Sequence, residues 1–258
     1  MIHLLTAHHR DTRWIDVQLR FVARHLREPY RTYASLEGIE TGWNDRFDLV
    51  VPSLGRHAGK LNHLARIATA GAHRDDLLVF LDGDAFPIAD PMPIVTEALR
   101  SHALVAVRRD ENLGDVQPHP CFCATTVGTW TDLGGDWSNG WSWTNELGEQ
   151  QSDVGGNLAW QLQHASLDWF PLVRTSGQDL HPLWFGVYGG IVYHHGAGFR
   201  RMLSRLDHDA LNIDPAARHV RRAAQQVRLR AHERRITRVS ERLFTDLSSD
   251  PDFHRQLL

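Results

Sequence analysis

The sequence predicts an α/β fold in which helices flank a mostly parallel central sheet and a helical extension follows at the C-terminal end. Two observations carry this prediction. Short apolar runs alternate with amphipathic segments through residues 1–205, the order that strands and helices take in α/β proteins. The run Leu77–Leu81 is continuously apolar, as expected for a strand covered on both faces. The 258 residues, 42% of them hydrophobic, suffice for one large domain with an extension.

The elements of the first third follow from local sequence. Strands are predicted where aliphatic and aromatic residues cluster, and helices where apolar residues recur at helical spacing. Proline ends the first helix at Pro29, because it lacks an N–H group and clashes with the preceding turn. The predicted order is strand Ile2–Ala7, helix Trp14–Arg27, strand Tyr30–Leu36, strand Phe47–Val51, helix His57–Ala70 and strand Leu77–Leu81.

The remaining elements of the first 205 residues follow the same rules. They are helix Pro91–Leu99, strand Ala103–Arg108, strand Phe122–Val127, a helical turn at Trp130–Leu133, helix Val154–His164, and strands Asp168–Arg174 and Trp184–His195. Between them, Gly134–Gln151 is rich in Gly, Trp, Ser and Asn and is predicted to be a long loop. Trp137, Trp141 and Trp143 lie in this loop. Their flat apolar faces beside polar neighbours favour a ligand-binding surface or lid, and ordinary packing is the alternative.

Residues 206–258 form the predicted extension, whose main element is an arginine-rich helix over Asp214–Leu247. Its apolar residues make a partial stripe, which favours a solvated helix packed on the domain. Contact with a membrane surface or an acidic partner, and self-association into a homo-oligomer, are the alternatives. A formal net charge of −3 gives no reason to expect nucleic-acid binding. Neither a signal peptide nor a transmembrane segment is expected, and Cys121 and Cys123 are interpreted as small buried side chains.

The most informative motif is Asp82-Gly83-Asp84, directly after the apolar run Leu77–Leu81. Ligands of open α/β sheets bind beyond the carboxyl ends of the strands, where these two aspartates are expected. Neighbouring carboxylates repel each other unless a cation lies between them, and such oxygen ligands suit Mg²⁺ or Mn²⁺. The alternative is an acidic turn, in which Gly83 supplies the backbone freedom.

The string from Leu77 to Pro87, LLVFLDGDAFP, resembles the D-x-D segment of GT-A-type glycosyltransferases, which use nucleotide-sugar donors. The resemblance implies a GT-A-like, Rossmann-like sheet over residues 1–205, with Asp82, Gly83 and Asp84 on the donor. It also implies that Asp82 and Asp84 hold a metal ion on the donor diphosphate. A third metal ligand is implied from the late His194-His195-Gly196 segment, where His194 is preferred to His195.

Further donor contacts are implied by two other segments. His57-Ala58-Gly59-Lys60-Leu61-Asn62 resembles the segment that opens the helix before the D-x-D strand in bacterial members, which assigns Lys60 and Asn62 to the donor. A helix N-terminus suits phosphate, although a surface position is the default for any lysine. Thr6, Ala7 and His8 end the first strand, where the family contacts base and ribose. Glu37 lies just past the second predicted strand, where the family often places an acidic residue on the nucleotide, and is a weaker candidate.

Asp153 is the candidate general base, because inverting members place an acidic residue at a comparable position to deprotonate the acceptor hydroxyl. An aspartate before a helix is also a common N-cap, and one residue can serve both purposes. Asp136 and Glu146 are alternative bases, and Asp179 is a candidate for the acceptor side.

The resemblance thus implies a metal-dependent, non-processive hexosyltransferase, for which inversion is preferred and retention is the alternative. Its donor is a nucleotide diphosphate sugar, and its acceptor is a glycan, a lipid-linked sugar or a small natural product. The expected location is the cytoplasm, with peripheral contact at the inner membrane face as an option. A non-catalytic nucleotide-sugar-binding protein and a sugar-nucleotide nucleotidyltransferase are the alternatives. The second is disfavoured because Thr6-Ala7-His8-His9-Arg10 contains no glycine.

Overall fold

The computed structural model describes residues 1–178, 180–196, 203–214, 216, 219–250 and 252–258. Asp179 therefore lies outside the described residues. The strands are β1 (Ile2–His9), β2 (Tyr30–Glu37), β3 (Leu49–Val51), β4 (Leu77–Asp82), β5 (Ala85–Pro87), β6 (Leu104–Val107), β7 (His119–Thr126), β8 (Trp143–Thr144), β9 (Gln150–Gln151), β10 (Phe170–Leu172), β11 (Gly186–Tyr188) and β12 (Val192–His194).

The helices are α1 (Arg13–His25), α2 (His57–Thr69), α3 (Met92–Ala98), α4 (Val127–Leu133), α5 (Gly156–His164), α6 (Arg205–Ala210) and α7 (His219–Ser249). Two short 3-10 helices occupy Thr41–Arg46 and Phe253–Gln256. The predicted order of alternating strands and helices is confirmed, with boundaries within a few residues for most elements.

Seven strands form the central sheet in the order β10-β6-β7-β4-β1-β2-β3. β1 pairs in parallel with β2 on one side and with β4 on the other. β7 is the exception, since it runs antiparallel to both β4 and β6. The predicted α/β fold with a mostly parallel sheet is therefore confirmed. Ala7 of β1 stands opposite Asp82 of β4, which brings the ends of these two strands to one edge.

The core lies on both faces of this sheet, which explains why β4 is continuously apolar up to Asp82. Successive residues of β1 point to opposite faces, so that Leu4 and Leu5 belong to different hydrophobic clusters. Leu4 packs in the cluster that includes Val22 of α1, while Leu5 packs in the cluster that includes Leu61 of α2.

A second, three-stranded sheet lies beside the first and has the order β11-β12-β5. The prediction of one long strand over Trp184–His195 was wrong. Gly189 and Gly190 take positive φ angles of 58° and 69°, and they fold the segment into a hairpin of two three-residue strands. β12 pairs with β5, which follows the D-x-D turn, and this pairing sets His194 opposite Ala85.

The tryptophan-rich segment is less open than predicted. The hairpin of β8 and β9 lies within it, and Trp137 is fully buried with its ring 5.2 Å from that of Phe80. Trp143 is also buried. The prediction that these two side chains belong to a ligand-binding surface was wrong. Their indole rings instead supply apolar packing in a segment that has few aliphatic residues. Trp141 is half-buried.

The arginine-rich helix α7 packs on the domain along one stripe. Its buried residues recur at helical spacing, and among the described side chains they are Leu229, Ile236, Ser240, Leu243 and Leu247. Ile236, Leu243 and Leu247 join the cluster that contains Trp14 and Phe21 of α1. The interpretation of α7 as a packed amphipathic helix is confirmed for this part of the chain. Among the described residues, no helix has the length and apolar composition needed to cross a membrane.

Candidate functional site

A cavity of about 440 Å³ opens at the carboxyl edge of the central sheet. It lies where β1, β2 and β4 end and where the N-terminus of α2 approaches them, the place at which α/β sheets bind ligands. The residues that line it are Ala7, His9, Glu37, Gly55, Arg56, His57, Lys60, Asp82, Gly83, Asp84, Arg109, His119, Pro120, Asp153, Val154, His194 and Gly196.

The centre of the cavity wall is a cluster of Asp82, Asp84 and His194. The Nε2 atom of His194 lies 3.6 Å from Oδ2 of Asp82 and 3.6 Å from Oδ1 of Asp84. These distances are too long for hydrogen bonds. They fall between the roughly 3.0 Å and 4.2 Å that separate adjacent and opposite ligands of an octahedral cation with bonds of about 2.1 Å. The spacing and the O/N donor set therefore fit a divalent metal ion.

A second group of possible ligands, His181, Asp207 and His232, is arranged differently. Oδ1 of Asp207 lies 2.8 Å from Nε2 of His181 and 2.7 Å from Nε2 of His232, which are hydrogen-bond distances. Nδ1 of His181 accepts the backbone N–H of Leu183 at 3.1 Å. The Nε2 atom of neutral His181 therefore carries the proton and donates it to Asp207. These hydrogen bonds connect α6, α7 and the segment before β11.

Gln18 of α1 fixes the backbone on both sides of the D-x-D turn. The side chain is fully buried, and its Nε2 atom donates to the carbonyl oxygens of Asp82 at 2.8 Å and Ala85 at 2.7 Å. Its Oε1 atom accepts from the hydroxyl of Thr6 at 3.0 Å and lies 3.2 Å from Nε2 of His8. Thr6 and His8, predicted to contact the donor, thus point away from the cavity and support Gln18, whereas Ala7 lines the cavity.

Gly83 is required by close contact with β1. A Cβ atom at this position would lie 2.7 Å from the carbonyl oxygen of Ala7 and 2.7 Å from Nδ1 of His8. Only a residue without a side chain lets the turn lie this close to the end of β1. The glycine between the two aspartates therefore holds both carboxylates at the edge of the sheet.

His57, the first residue of α2, contacts the metal-ligand cluster from the other side. Its Nε2 atom lies 2.8 Å from Oδ1 of Asp82. Burial of Asp82 opposes its ionisation, but interactions with His57, His119 and His194 outweigh this effect and hold the pKa of Asp82 well below its ordinary value. Asp82 is accordingly a carboxylate over the whole physiological range.

The cavity wall near the end of β2 contains a buried lysine. Lys60 is 5% exposed, and its ammonium group forms an ion pair with Glu37, which His9 also contacts at 2.7 Å. The only lysine of the chain is thus buried in the cavity wall and not at the surface. Asn62 is placed differently, since its side chain bonds Asp136 and accepts the N–H of Trp137 at 2.9 Å. It braces a loop outside the cavity lining.

Asp153 is among the residues that line the cavity. Its carboxylate accepts the N–H of Val154 at 2.8 Å. Gly155 then takes a φ of 101°, and a Cβ atom there would lie 2.2 Å from the carbonyl oxygen of Pro118. This close approach fixes where Asp153 stands. Of the alternative bases, Asp136 accepts bonds from Ser138 and Asn157 and Glu146 is exposed, and neither is among the cavity-lining residues.

Several side chains at or behind the site were not predicted, among them Gln18, His57, Arg109 and His119. His57 stood inside the segment assigned to the donor, so its position was predicted but its contact was not. Gln18 carried a detectable signal, since it interrupts the apolar stripe of α1 between Trp14 and Val22. Arg109 and His119 gave no local signal, because long-range folding brings them to the cavity.

No family model matches the chain, and no curated protein matches it. Among solved structures it is similar to the apo form of the glycosyltransferase GlyE of Streptococcus pneumoniae TIGR4, at 15% identity and a TM-score of 0.42, over 69% of this chain and 45% of GlyE. It is also similar to the mannosyltransferase PcManGT of Pyrobaculum calidifontis in complex with GDP-Man and Mn²⁺, at 13% identity and a TM-score of 0.43, over 67% of this chain and 56% of that one.

A third similar structure is TarS of S. aureus, at 10% identity and a TM-score of 0.38, over 53% of this chain and 30% of TarS. The chain thus spans about half of the length of each of the first two proteins. At TM-scores below 0.5 the likeness is one of general chain course, and it gives no residue of this chain a role.

Proposed function

We propose that this protein transfers a sugar from a nucleotide diphosphate sugar to an acceptor hydroxyl, in a reaction that depends on Mn²⁺ or Mg²⁺. The observation that carries the proposal is the meeting of Asp82, Asp84 and His194 at ligand spacing in the wall of the cavity. When bound there, the metal ion would neutralise charge on the leaving diphosphate.

The nucleotide diphosphate is bound between the N-terminus of α2 and the ends of β1 and β2. Lys60 supplies positive charge in this wall, and the first turn of α2 adds the partial positive charge of a helix N-terminus. His57 acts through Asp82, whose carboxylate it orients by the 2.8 Å contact. Ala7 and Gly83 have no bulky side chains and leave room for the ligand.

The transfer step is a single displacement. The acceptor oxygen forms a bond to the anomeric carbon, its proton passes to Asp153, and the bond from that carbon to the diphosphate oxygen breaks. Attack from the side opposite the leaving group inverts the anomeric configuration. The absence from the sequence of the Gln-x-x-Arg-Trp motif of processive synthases favours one transfer per binding event.

The acceptor is a glycan, a lipid-linked sugar or a small natural product, and the enzyme acts in the cytoplasm or at the inner face of a membrane. The exposed arginines of α7, such as Arg221, Arg234 and Arg238, are the proposed surface for contact with a membrane or a second copy of the chain. Vesicle flotation and light scattering would test these two options separately.

The proposal is tested by thermal unfolding with a panel of nucleoside diphosphates, with and without Mn²⁺. A ligand at about 100 times its dissociation constant stabilises the native state by about 2.7 kcal/mol, which raises the melting temperature by about 5–10 °C. Asp84→Asn should lose this metal-dependent rise. Asp75→Asn is the matched control, since Asp75 is exposed and away from the cavity. The proposed function would be refuted if the melting temperature of the wild type did not rise with any nucleotide. It would also be refuted if the melting temperature of Asp84→Asn rose as much as that of the wild type.

The role of Asp153 has its own test. Asp153→Asn should bind the nucleotide and metal as the wild type does, but transfer to an acceptor should fall by about 10²–10⁴-fold. Full transfer activity in this variant would remove Asp153 as the base, and a product of retained configuration by NMR would remove the single displacement.

A further inference from the structure

Arg109 is a buried arginine in the cavity wall, and none of the acidic side chains that the structure describes forms an ion pair with it. It follows β6 and is 3% exposed. The neighbouring arginines are paired differently, since Arg108 lies 2.6 Å from Asp110, and Arg174 lies 3.8 Å from Glu111. Among the described residues, the guanidinium of Arg109 contacts only the carbonyl oxygen of Leu183 at 3.3 Å and the ring of His119 at 3.5 Å, and its Nε atom has no hydrogen-bond partner.

The contact with His119 does not satisfy the guanidinium. Nδ1 of His119 accepts the backbone N–H of Cys121 at 3.1 Å and therefore carries no proton. The proton of the neutral ring is then on Nε2, the atom that faces Nη1 of Arg109. Two N–H donors point toward each other, so neither can accept from the other, and the guanidinium needs an acceptor from outside the chain.

The carboxylates near Arg109 act on it only from a distance. Glu111 accepts the hydroxyl of Tyr188 at 2.5 Å. Asp115 is 1% exposed, and its burial raises its pKa to about 6 although Arg109 opposes this. A buried cation without a contacting anion is costly, and such a group is retained where a ligand completes it.

We infer that Arg109 binds an anionic group of the substrate, a carboxylate or a phosphate, at a subsite beside the metal-ligand cluster. The ring of His119, which the guanidinium contacts, lies 5.6 Å from the ring of His194. His194 in turn lies 3.6 Å from Asp82 and from Asp84, so Arg109 is close to these two carboxylates. The planar guanidinium presents paired N–H donors that match either group. The identity of the substrate rests on the proposed glycosyl transfer, whereas the need for an anion follows from Arg109 itself.

Two sources of the anion are compatible with this position: the diphosphate of the donor, or a carboxylate on the sugar it carries. The experiment measures dissociation constants in the presence of Mn²⁺ for inorganic diphosphate, nucleoside diphosphates, nucleotide hexoses and the corresponding nucleotide uronates. The proteins are the wild type, Arg109→Gln and Arg109→Lys. Charge-assisted hydrogen bonds predict an about tenfold to hundredfold loss of affinity in Arg109→Gln, and a smaller loss in Arg109→Lys, which keeps the charge but not the fork.

A loss for every diphosphate assigns Arg109 to the donor diphosphate, and a loss confined to uronates assigns it to a sugar carboxylate; both outcomes support the inference. Unchanged affinity of Arg109→Gln for every probe, with nucleotide binding intact in the wild type, overturns the inference and leaves the proposed function standing. If the wild type binds inorganic diphosphate through Arg109 but binds no nucleotide, the anion site stands and the proposed function fails.

Ligand-free unfolding separates this role from a structural one. Arg174 donates to the carbonyl oxygens of Pro182 at 2.6 Å and His181 at 2.7 Å, so Arg174→Gln should lower the melting temperature. Arg109→Gln should leave it unchanged or raise it, because an uncompensated buried charge is removed. A fall as large as that of Arg174→Gln would mark Arg109 as structural and overturn the inference.

Discussion

Gln18 offers the sharpest test of how the D-x-D turn is held. Replacement by leucine keeps the volume of the side chain but removes the donor to two carbonyl oxygens, those of Asp82 at 2.8 Å and Ala85 at 2.7 Å. It also removes the acceptor for Thr6 and His8. Each buried polar group left without a partner costs about 1–3 kcal/mol. The two carbonyl oxygens left without a donor alone predict a loss of about 2–6 kcal/mol, and a melting temperature lower by about 4–24 °C.

A second substitution at the same position tests the hydrogen-bond pattern. Gln18→Glu keeps the acceptor for Thr6 and His8 but sets a carboxylate against the two carbonyl oxygens, so it should be no more stable than Gln18→Leu. Scanning calorimetry of both variants, with the exposed Gln163→Leu as control, measures the effect, and Mn²⁺ titration shows whether the displaced turn also binds metal less tightly. An unfolding temperature of Gln18→Leu within about 1 °C of that of the wild type would contradict the predicted role of Gln18. An unfolding temperature of Gln18→Glu equal to that of the wild type would also contradict it.

Three further predictions concern the same region. Gly83→Ala should destabilise by about 1–3 kcal/mol through overpacking against β1, while Gly71→Ala, which has open space around its Cβ position, should change little; equal unfolding temperatures would contradict the close contact. Burial lowers the pKa of His8 to about 4 from an unfolded value near 6.5. Stability should therefore fall as pH drops from 6.5 to 4, by up to about 3 kcal/mol, and urea midpoints should show a weaker decline in His8→Asn. Finally, His57→Gln should weaken Mn²⁺ binding by about 10–100-fold with little change in unfolding temperature; unchanged affinity by calorimetric titration would remove its role through Asp82.

The parts of the site that sequence could indicate are those fixed by local chain geometry. A buried strand ending in Asp-Gly-Asp places both carboxylates at the sheet edge whatever the rest of the chain does. Lys60 lies at the start of a helix, and Asp153 lies just before one, and both line the cavity. The alternation of strand and helix likewise gave the fold class, because the period of apolar residues records which faces of each element are covered.

What the sequence could not indicate depends on contacts between distant segments. Gln18 and Asp82 are 64 residues apart, and their contact exists only because α1 crosses the end of β4. The strands β5, β11 and β12 have three residues each, too few to show a period. Two hydrogen-bond donors face each other at Arg109 and His119 because Nδ1 of His119 already accepts the backbone N–H of Cys121, which leaves the ring proton on Nε2. No reading of neighbouring residues reveals such a choice.

The arginine-rich helix α7 affects the candidate site through His195. His195, which follows the candidate ligand His194, is fully buried. Its Nε2 atom lies 2.7 Å from the hydroxyl of Ser240 on α7, and its ring stands 4.4 Å from that of Trp14 on α1. Because successive residues of a strand face opposite ways, holding His195 against α1 and α7 leaves His194 facing Asp82 and Asp84. The predicted boundary at residue 205 would therefore divide the candidate site from a helix that helps to orient one of its candidate metal ligands.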